Sequence, residues 1–166
     1  MINWEAIGAI AEGMGAFAVV VTLIYLSLQV RYAKSTAADS NRLVRASGVR
    51  EIVLSNVLDD EARRSIIRAL DASQFYEDAA KKLNIDILDA ERADFTAQYY
   101  FWLHWGQYST TMTGSDRKEL ENVISRFYTL PAIRNSWDQG PFGKVMFDAE
   151  FISFVDRILV DSSNDT

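Results

Sequence analysis

The chain of 166 residues contains no cysteine, so disulfide staples, thiolate-bound zinc and cysteine-held iron–sulfur clusters are all excluded. Its only histidine is His104, which removes di-iron bundles built on two Glu-x-x-His motifs, His-Glu-x-x-His zinc sites and haem held by two histidines. A carboxylate-only metal site stays open. No GxxxxGK[ST] phosphate loop and no GxGxxG after a strand occurs, and Gly140 and Gly143 accompany Pro141 in what reads as a turn. No GxSxG elbow presents a nucleophilic serine. None of the 17 Lys and Arg residues precedes Arg31, so the basic leader of a cleaved signal peptide is missing and an uncleaved anchor is expected.

What is present is a long apolar run. Gly13 to Leu28 reads GMGAFAVVVTLIYLSL, and Ile7 to Ala11 extends it beyond Glu12. About 20 such residues cross a hydrocarbon layer of about 30 Å at about 1.5 Å per residue. Trp4 and Tyr32 bracket the run as interfacial anchors, joined by Arg31 and Lys34. Residues 1–30 are therefore expected to form a transmembrane helix. Gly8, Ala9, Ala11, Gly13, Gly15, Ala16 and Ala18 supply a small-residue face for close helix packing, with Ala9 and Gly13, and Ala11 and Gly15, four apart. Glu12 is read as an acid near the outer interface that snorkels or loses its charge.

Charge changes sign along the chain. Residues 31–50 carry five basic groups against Asp39, a net +4, whereas the chain from Glu51 onward carries −8 within a total of −6. An acidic body argues against nucleic acid, and a basic collar beside an apolar run argues for a membrane surface. The positive-inside rule puts the Arg31 side in the cytoplasm and the N-terminus outside.

No Gly or Pro interrupts the chain between Gln29 and Gly48, so the helix is expected to run on to about Asn56. Residues 31–57 then form a basic juxtamembrane stalk with Val44, Val49, Ile52, Val53 and Val57 as its apolar side. Residues 58–161 read as a small helical bundle. A helix is expected after Asp59-Asp60, a shorter one over Phe75–Leu83, and a long one from about Asp89 to Met112, entered through acids and closed by Thr113-Gly114. Ser115 is the expected cap of the next helix. Pro131 opens a short helix that Gly140-Pro141 ends, and Asp148 caps a last helix burying Phe151, Ile152, Phe154, Val155, Ile158 and Leu159. Residues 162–166 read as a polar tail. No strand alternation and no repeat is found, so the class is all-α: one N-terminal transmembrane helix continuing into a cytoplasmic helical bundle.

Within the long helix, Tyr99, Tyr100, Phe101, Trp102, Trp105 and Tyr108 exceed what one core face takes, which nominates them as a partner surface beside their role in the core. His104 is read as a packing histidine, and the acid pairs Asp59-Asp60, Glu77-Asp78 and Glu119/Glu121 as solvated faces.

The opening INWEAIGAIAEGMGAFAVVVTLIYLSLQVR, the stretch YYFWLHWGQY and the closing FxxFVDRIL pattern at Phe151–Leu159 resemble a widespread group of uncharacterised bacterial membrane-anchored proteins. The resemblance implies an inner-membrane helix leading into a helical domain, and it carries no activity, cofactor or catalytic residue. The expected function is that of a non-enzymatic interaction protein, an accessory or assembly subunit of a larger membrane complex. Its expected partners are the lipid bilayer and either subunits of that complex or further copies of itself. A tethered enzyme or ligand sensor with its pocket near His104 and Tyr99 is the reading from another class.

Overall fold

A computed structural model describes residues 4–110 and 112–164, with side chains placed from residue 7 onward except at 9–11, 163 and 164. Among the described residues there are seven α-helices, one 3-10 turn and no strand: α1 (Trp4–Leu58), α2 (Asp60–Ala69), α3 (Ser73–Leu83), α4 (Ile87–Tyr108), α5 (Gly114–Phe127), α6 (Pro131–Gln139) and α7 (Ala149–Asn164). The chain divides into two units, residues 1–40 and 41–166.

In the second unit α4 is central, packing against α3, α5 and α6, while α5 also packs on α7. The last part of α1 joins through Ala46, Val49, Val53 and Val57, spaced three, four and four apart along one side. Val44 and Ile52 fall off that side and are 67% and 64% exposed, so the apolar side of the stalk is narrower than the count of valines suggested. One core gathers Phe101, Tyr128, Trp137, Phe147, Phe151 and Phe154; a second gathers Val53, Ile67, Tyr76 and Phe95.

Local chemistry fixes the helix ends. Asp59 caps α2 by accepting from the backbone N–H groups of Glu61 and Ala62 at 2.9 and 3.0 Å. Asp71 and Asn84 take left-handed backbone conformations (φ 53° and 54°) that close α2 and α3, each with Schellman-type bonds behind it. Asp86, not the later acids, caps α4. That helix stops at Tyr108 rather than Met112, because the Ser109 and Thr110 hydroxyls donate to the carbonyls of Gly106 and Gln107 and compete with further helical bonds. The cap of α5 is Thr113, not Ser115: Thr113 is extended, and Asp116 three residues on completes a reciprocal capping box. Asp148 caps α7 as expected, accepting from the Phe151 N–H at 2.9 Å. The expected polar tail is helical through Asn164, with Ser162 donating to the Ile158 carbonyl at 2.8 Å.

Candidate functional site: an exposed apolar helix and a divided helix stripe

In the first unit, α1 is long and apolar enough to cross a membrane, a property of length and composition that a signal sequence shares. From Gly13 to Val30 it carries no charge, and its described residues are exposed. Its polar side chains are satisfied locally. Thr22 donates to the Ala18 carbonyl at 2.8 Å, Ser27 to the Ile24 carbonyl at 2.7 Å, and the Gln29 amide to the Tyr25 hydroxyl at 2.7 Å.

The small residues do not form one face. At about 100° per residue, Gly8, Gly15, Ala18 and Thr22 share one side, which continues through Gln29, Ala33, Thr36 and Ser40, while Gly13 and Ala16 lie on the other. The side chains of Ala9, Ala11 and the expected anchor Trp4 lie outside the described residues. Nothing stands within 4 Å of a Cβ built at Gly8, Gly13 or Gly15. The continuing side includes a shallow groove formed by Gln29, Ala33, Thr36, Ala37 and Ser40, with Tyr32 at its edge. Arg31, Tyr32 and Lys34 are all exposed.

In the second unit the aromatic run is largely absorbed by packing. Phe101 is wholly buried between Tyr128 and Trp137, and Trp105 is buried with its indole N–H donating to Asp148 Oδ2 at 2.7 Å. Trp102 packs on Phe147, and Tyr108 lies against Phe151 and Phe154 beneath the Arg117 guanidinium. Tyr99 is half-buried with the Arg50 guanidinium over its ring; Tyr100, 37% exposed, is the most open of the six and packs at a tilt against Phe127.

The same helix carries a feature that the acid-rich reading of its start passed over. Glu91, Asp94, Gln98, Phe101, Trp105 and Tyr108 alternate three and four apart, a single stripe whose first half is polar and second half aromatic. Glu91, Asp94 and Gln98 are buried. Arg63 of α2, with 0% of its surface exposed, answers Glu91: its Nε donates to Glu91 Oε2 at 3.3 Å and its Nη2 to Asp60 Oδ1 at 2.6 Å. Its Nη1 donates to the Asn56 and Val57 carbonyls at 2.9 and 3.3 Å, covering acceptors that the end of α1 leaves open. Asp60, which also receives Arg92, is held below the usual carboxylate range by the Arg63 hydrogen bond, so it is not merely a solvated acid.

Asp94 Oδ2 accepts from the Tyr76 hydroxyl at 2.9 Å and from the Gln98 amide at 2.8 Å. Its Oδ1, on the side of Ser136 and Gly140, has no hydrogen-bond partner. Burial raises the Asp94 carboxyl above its ordinary range and raises the Tyr76 phenol as well. The visible signal was the spacing: polar residues at the positions where a helix face should be apolar.

His104 is buried among Tyr100, Phe127 and Tyr128, with Nδ1 3.4 Å from the Tyr128 hydroxyl. Burial lowers its pKa to about 4, so the imidazole is neutral near pH 7. Among the described residues no three His, Asp or Glu side chains converge to hold a metal ion. No family model matches the chain, and neither a curated protein nor a solved structure matches it.

Proposed function

We propose that this protein is an inner-membrane interaction protein: residues 1–30 anchor it, the helical unit lies in the cytoplasm, and it serves as an accessory or assembly subunit of a larger membrane complex. The observation that carries this reading is the uncovered apolar stretch of α1. Phe17, Leu23, Ile24 and Leu28 are 56–71% exposed, and each such side chain gains about 1.5–3 kcal/mol on leaving water. A stretch of this length calls for a nonaqueous cover, and lipid suits a helix whose hydroxyls are already bonded to its own carbonyls. The side running from Gly8 through Gly15, Ala18 and Thr22 is suited to a neighbouring helix, because small residues let backbones approach closely in lipid. The positive-inside rule, applied to Arg31 and Lys34, gives the orientation.

Purification from native membranes in mild detergent, without overexpression, tests this reading by particle mass and by the identity of copurifying proteins. Defined partner subunits support it. A homogeneous multiple of 18.8 kDa supports a second reading, self-assembly through the same side of α1, favoured by the self-complementary character of small residues with Thr22 and Gln29. A protein released from membranes by alkaline carbonate, or a bare monomer without partners, overturns both.

A further inference from the structure

Resting on the membrane reading above, we propose that Arg31 and Lys34 form a docking surface for the headgroups of anionic phospholipids. The two cations are one turn apart on one side of α1, both exposed, and they are the only charged residues between Glu12 and Asp39. No carboxylate within that run competes for them. The uncharged stretch ends at Val30, so at about 1.5 Å per residue Arg31 and Lys34 stand about 1.5 and 6 Å beyond it. That is the depth of the phosphate layer, which occupies roughly 5–7 Å on each side of the hydrocarbon.

Tyr32, 81% exposed, lies between them in sequence and places an amphipathic ring at the same level. A turn further on, the cationic side carries Ala38, which leaves room for a headgroup. The side bearing Gln29, Ala33, Thr36 and Ser40 holds no charge, so a helix seated there leaves the cations free for lipid. Charge complementarity selects the lipid class. The chain from Glu51 onward carries −8 and is repelled by an anionic surface, and Arg31 and Lys34 supply attraction at the boundary itself.

The test reconstitutes the full chain into phosphatidylcholine vesicles containing a trace of spin-labelled phosphatidylglycerol or spin-labelled phosphatidylcholine. The motionally restricted fraction of each lipid is then measured. The expected result is a preference for phosphatidylglycerol, up to about fivefold per cation, that weakens in about 0.5 M salt. Arg31→Gln with Lys34→Gln brings the ratio close to unity, while Arg31→Lys keeps it. Equal restriction of both lipids by the unaltered chain, or an undiminished preference in the double variant, overturns the proposal. A chain that restricts neither lipid fails the membrane reading itself, an outcome distinct from a chain that restricts both equally.

Discussion

The Tyr76 hydroxyl donates to Asp94 Oδ2 at 2.9 Å in the interior of the helical unit, while the other oxygen of the same carboxyl has no partner. An ionised Asp94 would leave a charge there with only neutral groups, Tyr76, Gln98 and the nearby Ser136, and no cation against it. Its folded-state pKa is raised above the unfolded value, so its contribution to stability is complete below the unfolded pKa and is lost as pH rises through the folded one. Asp94→Asn keeps an acceptor for Tyr76 and Gln98 and cannot ionise. At pH 8 the variant is expected to be more stable by roughly 1–3 kcal/mol, the scale of an unsatisfied buried polar group. Urea denaturation at pH 5 and pH 8 checks this, and a variant less stable at both values refutes it.

Arg63 is the joint between α1, α2 and α4. Removing it strands buried Glu91 and uncovers two helix-end carbonyls, so Arg63→Ala is expected to cost about 3–5 kcal/mol in urea denaturation. Arg63→Lys recovers little, because an ammonium cannot serve the same spread of acceptors as a planar guanidinium. Arg63→Met combined with Glu91→Leu recovers most of the loss by removing both charges. If the single and double variants are equally unstable, the joint works through packing instead.

His104 has the opposite sense of pH dependence from Asp94. Its folded pKa, about 4, lies below the unfolded value of 6.5, so stability is fully present above pH 6.5 and falls as pH drops toward 4. The total loss is on the order of 3 kcal/mol. His104→Gln is expected to remove that part of the slope in denaturation curves taken between pH 4 and 7. A slope that persists unchanged assigns it to other groups.

Gly106 lets α4 approach α1: a Cβ built there meets the Ala46 side chain at 3.0 Å. Gly106→Ala is expected to destabilise by up to about 2 kcal/mol, an overpacking cost of about 1–3 kcal/mol offset by about 1 kcal/mol of helix propensity. Ala46→Gly in the same chain relieves the contact and restores part of the loss, a coupling that a double-mutant cycle measures. Additive losses would place the strain elsewhere.

Much of the fold was legible because its signals are local. The Asp59 and Asp148 caps, Pro131 at the start of α6 and the Gly140-Pro141 stop all act within a turn of the helix they bound. The apolar side of α7 followed from spacing alone, since Phe151, Phe154, Val155, Ile158 and Leu159 are buried and Ile152, also expected there, is partly buried against the same core. Thr113 was missed as a cap because its partner in the box is Asp116 rather than the usual Glu or Gln. The burial of Glu91 and Asp94 was not legible, for a deeper reason. An acid near a helix start is ordinarily a surface charge that suits the dipole, and only the distant Arg63 and Tyr76 make these two tolerable inside. For the candidate membrane segment, composition exposed its apolar character, but helical geometry was needed to divide Gly8 and Gly15 from Gly13 and Ala16.

The division of the α4 stripe also sets an order of assembly. Phe101, Trp105 and Tyr108 gain as soon as α6 and α7 collapse on them, whereas Glu91 and Asp94 lose hydration until Arg63 and Tyr76 arrive with their donors. The aromatic half is therefore expected to belong to the folding nucleus. Substitutions at Phe101 should slow folding, while Arg63 substitutions should mainly speed unfolding. On that order the joint at Arg63 is expected to close last and open first.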